Sequence, residues 1–237
     1  MDAIATPVAR RAAHANPIRL QNSVLNTIEK RTLIWLAHRI PAFVTSDHLT
    51  ILALMAMVGA GLSYWSARAT PFGLWLVIAF LAINWFGDSL DGTLARVRQQ
   101  PRPRFGYYVD HVVDAVGAVC LFGGLAASGF MSAPVAAVLL IAYFLLCLEV
   151  YLATVSLGEF RMSFFGVGPT ELRILLAVGN VVLLVHPTVV IAGHAFKLFD
   201  VGGVVGAAGL LGTFMFATIR NTRTLYREEP LPPRGSR

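Results

Sequence analysis

Charged residues are scarce in this sequence of 237 residues, in which 14% of the side chains are charged and 56% are hydrophobic. An ordinary soluble domain has about a quarter charged residues, so the sequence does not describe one. Its two cysteines, Cys120 and Cys147, both lie in apolar stretches, which excludes a disulfide framework and a paired-cysteine metal site. The net charge of +6 is not gathered into a basic stripe with interleaved aromatic residues, so nucleic acid is not expected as a partner.

Long apolar segments, by contrast, are abundant. About 20 consecutive apolar residues are enough to cross the hydrocarbon core of a bilayer as a helix. They predict an all-α membrane protein with six transmembrane helices, at residues 46–67, 72–95, 106–128, 135–157, 169–187 and 201–220. Proline and glycine in the joints between these segments are the expected helix stops. The sequence therefore predicts an integral, multi-pass membrane protein.

The segment before the first span has a different character. Residues 1–22 are polar, carry arginine and lack the apolar core of a signal peptide. Residues 23–45 alternate apolar and charged side chains, which is typical of an amphipathic helix on the membrane surface, although a short connecting helix would show the same pattern. The predicted organisation is a polar arm (1–22), an interfacial helix (23–45), a six-helix membrane domain (46–222) and a basic tail (223–237).

Lysine and arginine are distributed unequally between the two predicted sides of the membrane. Seventeen of the nineteen fall on the side of the N-terminal arm, the 97–105 and 158–168 joints and the tail, and the two exceptions are Arg68 and Lys197. Because basic residues are retained on the cytoplasmic side, both termini are predicted to be cytoplasmic.

Six of the thirteen acidic residues lie inside or at the ends of predicted spans. They are Asp88, Asp91, Asp110, Asp114, Glu149 and Glu171. A carboxylate at membrane depth is energetically costly and is a functional candidate by default.

Four of these acids are arranged on two neighbouring spans. Asp88 and Asp91 are three residues apart and share one helical face, and Asp110 and Asp114, four apart, share another. The nine-residue link 97–105 is short enough to fold the two spans antiparallel. All four carboxylates are therefore predicted to converge at the cytoplasmic end of the pair.

Four carboxylates so close together would repel one another unless a cation lies between them. All-oxygen ligation favours a hard divalent ion, Mg²⁺, Mn²⁺ or Ca²⁺, and four ligands make two ions plausible. Gly92 and Ala95 leave the helix face beside Asp91 free of bulk, and Arg96 can pair with phosphate, which together suit a nucleotide diphosphate. A plainer alternative is that the acids pair at a wet interface with the arginines of the joint. These arginines are Arg96, Arg98, Arg102 and Arg104.

The order of these residues resembles the signature of the CDP-alcohol phosphotransferase family, D-x-x-D-G-x-x-A-R followed, after a gap of eight or nine residues, by G-x-x-x-D-x-x-x-D. The matching positions are Asp88, Asp91, Gly92, Ala95, Arg96, Gly106, Asp110 and Asp114, with nine residues between Arg96 and Gly106. The six-helix layout and the leading interfacial helix also resemble that family, so the likeness extends over residues 23–222.

The resemblance implies a transferase of phospholipid biosynthesis. An acceptor hydroxyl would attack the phosphate that carries the alcohol of a CDP-alcohol, and CMP would leave. By analogy, Asp88, Asp91 and Asp110 would hold two Mg²⁺ or Mn²⁺ ions, and Asp114 would be the general base while also facing the second ion. The positions that would line the CDP pocket are Gly92, Ala95 and Arg96. One of the two substrates would be a lipid, and the resemblance suggests a homodimer.

The start of the first span departs from the family, whose members often begin it with Pro-Asn-x-Leu-Thr. Here the sequence reads Ser46-Asp47-His48-Leu49-Thr50. Ser46 or Asp47 is predicted to cap the helix, and Thr50 is still available to face the cytidine.

The family includes enzymes that use CDP-diacylglycerol with a small polar acceptor and enzymes that use CDP-choline or CDP-ethanolamine with diacylglycerol. His111 beside Asp110 resembles the Asp-His step of the second group, where the histidine is linked to acceptor activation. On a helix it points about 100° away from the Asp110 face, however, so packing is an equal alternative. Glu149 is a candidate for binding a cationic or hydroxyl-rich headgroup. Glu171 and Arg173 are further candidates for the substrate pocket, although Glu171 is alternatively a first-turn acid stabilised by the helix dipole.

A divalent-cation channel or transporter would also place carboxylates in a membrane. Such a protein is expected to spread its acids along the membrane normal, whereas here they gather at one predicted end. The transferase is therefore the favoured interpretation.

Overall fold

The structure is a computed structural model that describes residues 18–20, 26–161 and 169–231. Within those ranges it contains seven helices and four short strands. The helices are α1 (Asn26–Ala37), α2 (Ser46–Ser66), α3 (Phe72–Val97), α4 (Pro103–Ser128), α5 (Ala133–Leu157), α6 (Pro169–Val185) and α7 (Leu198–Glu228). The strands are β1 (Ile18–Leu20), β2 (Glu159–Arg161), β3 (Thr188–Ile191) and β4 (His194–Lys197).

Five helices of the described chain, α2, α3, α4, α5 and α7, are long and apolar enough to cross a membrane. They confirm the prediction of a helical integral membrane protein. The predicted count of six spans is not confirmed, because α6 has 17 residues, which span about 26 Å at 1.5 Å per residue. That length falls below the hydrocarbon thickness of about 30 Å.

Several helix boundaries differ from the sequence-based predictions. The helix predicted over 23–45 is described only over Asn26–Ala37, since the chain turns before Pro41, and residues 23–25 lie outside the described ranges. The last helix continues to Glu228 and takes in part of the predicted tail, because its polar residues extend the helix beyond the apolar segment. Most of the predicted arm 1–22 lies outside the described residues.

The four strands were not predicted. Within the predicted arm, β1 pairs in parallel with β2, with Ile18 opposite Glu159. The antiparallel pair β3–β4 turns through Ala192 and Gly193, whose φ angles are 50° and 82°. Two central residues with positive φ are typical of a tight two-residue hairpin turn. Strands of three or four residues are too short for an alternating pattern to identify them in a sequence.

The centre of the helix bundle is α2, which packs against both α3 and α4. Glycines allow these close approaches: a methyl group added at Gly61 would overlap the backbone carbonyl of Cys120, and one added at Gly124 would overlap the carbonyl of Gly61. A methyl group at Gly87 of α3 would lie 2.6 Å from the carbonyl oxygen of Leu49. Small residues at such crossings are typical of membrane helix packing.

Replacement of Gly61 by valine is expected to destabilise the protein, because the new side chain would push α4 away from α2. Overpacking costs about 1–3 kcal/mol, and here the obstacle is backbone that cannot rotate aside. Thermal unfolding in detergent would measure the loss. Gly212→Val is the matched control, since Gly212 has open space around it, and an equal loss in both variants would contradict the prediction.

Polar contacts join helix α6 to α2 and α3. The amide of the fully buried Asn180 donates to the hydroxyl of Tyr64 on α2, at 2.9 Å. One face of α6 also packs on α3, to which Arg173 is bonded. Polar contacts of this kind fix the rotation of a helix about its axis in an apolar environment.

Candidate active site

Three carboxylates converge between α3 and α4, two helices that both pack against α2. The chain between the two helices is residues 98–102, shorter than the predicted link 97–105, and it returns the chain antiparallel. Asp88 of α3 and Asp110 and Asp114 of α4 each offer one oxygen atom, and these oxygens lie within 4.8 Å of one another. The structure thus brings together three of the four aspartates predicted to share a site.

Arg173 joins this cluster from α6. Its Nη2 atom donates to Asp88 Oδ2 at 2.5 Å, and its Nε atom donates to Asn84 Oδ1 at 2.8 Å. The Asn84 amide also donates to the backbone carbonyl of Ala53 on α2, at 3.1 Å. Arg173 was predicted to lie in the substrate pocket, and the structure places it directly on one of the candidate metal ligands.

Asp91, the fourth predicted ligand, has contacts of its own. Its Oδ2 atom accepts a hydrogen bond from the Thr50 hydroxyl at 2.7 Å, and its Oδ1 atom accepts from the Gly92 amide. The hydroxyl of Ser46 donates to the Asp91 carbonyl at 2.8 Å. The start of α2 therefore holds Asp91, and Thr50, which was expected to face a cytidine, contacts this carboxylate.

The predicted cap of α2 was wrong. Thr45 caps the helix, accepting from the amide of His48, while the His48 ring accepts from the Thr45 amide. Ser46 is occupied with Asp91, and Asp47 pairs with Arg102. Threonine is an ordinary capping residue, and the reciprocal histidine replaces the usual glutamate of such a capping box.

The glycines of the motif have a different role from those at the helix crossings. A methyl group added at Gly106 would meet open space, and one added at Gly92 would meet only the guanidinium of Arg96, at 3.4 Å. Neither glycine is required by contact between helices. The face of α3 that carries Gly92 and Ala95 is therefore open enough for a ligand to approach the backbone.

Three arginines of the joint have hydrogen bonds or ion pairs with residues other than the three clustered aspartates. Arg98 donates to the carbonyls of Val44, Ile40 and Pro41. Arg102 pairs with Asp47, and Arg96 Nη2 donates to the Thr93 hydroxyl at 3.0 Å. Asp88 pairs with Arg173 of α6, which lies outside the joint, so this pair is not the one that the alternative interpretation predicts.

The clustered residues fit a hard divalent cation. All three side chains offer oxygen, the ligand atom that Mg²⁺ and Mn²⁺ prefer, and Arg173 brings one positive charge to the three carboxylates. A carboxylate has two oxygen atoms, so Asp88 can bind Arg173 through one and an ion through the other. Asp88, Asp110 and Asp114 are the residues that would hold such an ion.

His111 packs among aromatic rings. Its Nδ1 atom lies 2.6 Å from the carbonyl of Tyr107, one turn back, and 3.9 Å from Asp110 Oδ2. Its ring centroid is 4.1 Å from that of Tyr107 and 4.6 Å from that of Tyr151 on α5. These contacts favour the packing interpretation, and a catalytic role for His111 stays a prediction.

The two glutamates predicted for the substrate pocket lie on different helices. Glu149 of α5 is buried, and its Oε1 atom accepts from Asn221 of α7 at 2.6 Å, which ties those two helices together. Glu171 is partly buried in the first turn of α6, two residues before Arg173. Their part in substrate binding stays a prediction.

Sequence reasoning missed Asn84 and Glu29. Asn84 lies four residues before Asp88 on the same face of α3, and this spacing is a signal that could have identified it. Glu29 Oε1 accepts from Trp85 Nε1 at 2.8 Å and from the Thr170 hydroxyl at 2.8 Å. No pattern in the sequence links these distant positions.

Five membrane-length helices, two of which carry a carboxylate cluster that could hold a metal ion, define a polytopic membrane protein with a metal-compatible site. The family model for CDP-alcohol phosphatidyltransferase matches residues 43–215. The chain therefore belongs to the CDP-alcohol phosphatidyltransferase family, as the motif indicated. The family match includes every position of the D-x-x-D-G-x-x-A-R and G-x-x-x-D-x-x-x-D segments.

The fold is similar to that of a solved phosphatidylinositol phosphate synthase. The crystal structure of Mycobacterium tuberculosis phosphatidylinositol phosphate synthase with CDP-DAG bound has 20% sequence identity to the chain and a TM-score of 0.56. The likeness covers 83% of this chain and 94% of that one, which shows a shared fold. No curated protein sequence matches the chain.

Proposed function

We propose that the protein is a metal-dependent CDP-alcohol phosphotransferase. It transfers a substituted phosphate from CDP-diacylglycerol or a CDP-amino-alcohol to an acceptor hydroxyl and releases CMP. The observation that carries the proposal is the cluster of Asp88, Asp110 and Asp114, whose oxygen atoms lie within 4.8 Å of one another inside the family-matched region.

The proposed mechanism divides the work among these residues. Asp88, Asp91 and Asp110 would hold Mg²⁺ or Mn²⁺, as two ions, and Asp114 would also face the second ion. Bound divalent cations would neutralise the pyrophosphate charge and stabilise the departing CMP. Asp114 accepts the proton of the acceptor hydroxyl as the new phosphorus–oxygen bond forms and the bond to CMP breaks.

The donor is proposed to lie along the open face of α3. Gly92 and Ala95 let the pyrophosphate approach the backbone, and Arg96 pairs with its phosphate oxygens. Thr50, whose hydroxyl is bonded to Asp91, is proposed to face the cytidine. CDP-diacylglycerol is the first donor to test, because CDP-DAG is bound in the structurally similar synthase.

The decisive experiment is a CMP-release assay on the purified protein. Radiolabelled CDP-diacylglycerol or CDP-ethanolamine would be incubated with Mn²⁺ or Mg²⁺ and a panel of acceptors, with serine, glycerol phosphate, inositol phosphate and diacylglycerol included. We expect acceptor-dependent release of CMP that stops when the metal is chelated. Metal uptake into liposomes that Asp91→Ala abolishes, without CMP release from any pair, would instead support the cation channel.

We also propose that the site and both termini face the cytoplasm and that the protein is a homodimer. The orientation is supported by the excess of lysine and arginine on that side, and a water-soluble CDP moiety would reach the site from there. The dimer is proposed from the family resemblance. Glu149, Glu171, Arg173 and His111 remain candidates for the acceptor side of the pocket.

A further inference from the structure

Glu29 of α1 binds two other helices at once. Its Oε1 atom accepts hydrogen bonds from Trp85 Nε1 at 2.8 Å and Ser89 Oγ at 3.3 Å, both on α3. It also accepts from the Thr170 hydroxyl of α6 at 2.8 Å. A carboxylate that accepts several hydrogen bonds makes strong, charge-assisted contacts, so this acid joins the start of α6 to the middle of α3.

The rest of α1 is held firmly against the same part of α3. Leu33 and Ala37 follow Glu29 at four-residue intervals, so they share its helical face. Both are buried in one cluster with Leu90 and Leu94 of α3. Beyond the helix, the guanidinium of Arg98 donates to the backbone carbonyls of the turn that follows α1, which fixes its other end.

The residues that bind Glu29 alternate along the chain with those that bind Arg173. On α3, Trp85 and Ser89 bond to Glu29, and their immediate neighbours Asn84 and Asp88 bond to Arg173. On α6, Thr170 lies three residues, about one turn, before Arg173. The same segments of α3 and α6 are therefore joined twice, once through the carboxylate of Glu29 and once through the guanidinium of Arg173.

We propose that Glu29 is a positioning residue for the metal site, acting through Thr170 and Arg173 on the carboxylate of Asp88. By fixing the first turn of α6 against α3, it holds the Arg173 guanidinium where it can bind Asn84 and Asp88 together. Asp88 is then oriented with one oxygen toward Asp110 and Asp114. The inference rests on the proposed metal-binding function of the three aspartates.

The physical reason lies in the geometry of the guanidinium group. Its donors are held in a rigid plane, so it orients Asp88 only if the backbone of α6 keeps a fixed distance from α3. Outer contacts that orient metal ligands typically change metal affinity by about 10–100-fold when they are lost. Glu29 acts on Asp88 only through Thr170 and Arg173, so its loss is expected to lower the metal affinity by about tenfold or somewhat less.

The test is a titration of the purified full-length protein with Mn²⁺, followed by thermal unfolding in detergent. Thr170→Val removes one hydroxyl at constant shape, and Glu29→Gln removes the charge and weakens all three hydrogen bonds. Both are expected to raise the Mn²⁺ concentration at the half-maximal stabilisation about three- to tenfold. Thr170→Ser, which restores the hydroxyl, should titrate as the wild type does.

Matched controls separate positioning from stability. Thr213→Val removes a hydroxyl that bonds to its own helix on α7, and Glu228→Gln neutralises an exposed acid at the end of that helix. Neither should shift the Mn²⁺ midpoint. The double variant Glu29→Gln/Thr170→Val should titrate like Glu29→Gln alone, because the two side chains act through one contact.

The outcomes distinguish this inference from the proposed function. Suppose that the wild type binds Mn²⁺ and releases CMP, and that Thr170→Val and Glu29→Gln have the wild-type Mn²⁺ midpoint but a lower metal-free melting temperature. Glu29 is then only a structural contact, and the inference is wrong. If the wild type shows neither Mn²⁺ stabilisation nor CMP release, the proposed function itself fails.

Discussion

Replacement of Asp114 by asparagine is expected to abolish turnover and to leave the binding of a CDP-alcohol largely intact. Asparagine keeps the size of the side chain and an oxygen atom that can face an ion, but it cannot accept the proton of the acceptor hydroxyl. General base catalysis contributes about 10²–10⁴-fold to a rate, so kcat should fall by that range. One carboxylate oxygen of Asp114 lies within 4.8 Å of an oxygen of each of the other two aspartates. The variant therefore tests whether Asp114 is needed as the base, for donor binding, or for both.

Two measurements on the same preparation would check this prediction. CMP release gives the rate, and equilibrium binding of radiolabelled CDP-diacylglycerol in the presence of Mn²⁺ gives the affinity. Asp200→Asn is the control, because Asp200 accepts from the Ser132 amide near the far end of α4, and asparagine can still accept there. Loss of donor binding together with turnover would show that Asp114 is needed to assemble the site and is not specifically the base.

Asp110→Asn is expected to remove the response of the protein to divalent ions. In the wild type, an ion between the clustered carboxylates should stabilise the folded state, by about 2.7 kcal/mol at a concentration one hundred times the dissociation constant. The variant lacks one anionic ligand, so the Mn²⁺-induced rise in melting temperature should disappear and activity should fall at least about a hundredfold. Its metal-free melting temperature should stay the same or increase, because one repulsive charge is gone.

A titration of the melting temperature with Mn²⁺, with activity assays at each concentration, measures both effects. The matched control is Asp47→Asn, since Asp47 is an exposed acid that pairs with Arg102 outside the cluster. If Asp110→Asn shifts with Mn²⁺ at the same concentrations as the wild type, Asp110 is not a metal ligand.

The parts of the site that lie close together in the sequence were predictable. Asp88 belongs to the end of one helix and Asp110 and Asp114 to the start of the next, and helical spacing with a short link is enough to bring them together. The crossings at Gly61 and Gly124 were not predictable, because sequence spacing within one helix does not reveal which other helix approaches it. The same limit applies to the short strands.

The contacts that α6 and α1 make with other helices could not be predicted from the sequence. Arg173 follows Asp88 by 85 positions and Glu29 precedes Thr170 by 141, and local periodicity carries no information over such distances. Arg173 was predicted to lie in the substrate pocket, but its bond to Asp88 was not predicted. Glu29 lies in a segment whose mixed polarity indicated a helix on the membrane surface or a short connecting helix, and neither interpretation names a partner for this acid.

The backbone contact between Gly61 and Gly124 has a consequence for how the protein responds to its lipid surroundings. The two backbones approach so closely at this crossing that they leave no room for an acyl chain or a detergent tail between α2 and α4. The enzyme should therefore tolerate membranes of differing fluidity without losing the alignment of its acidic side chains.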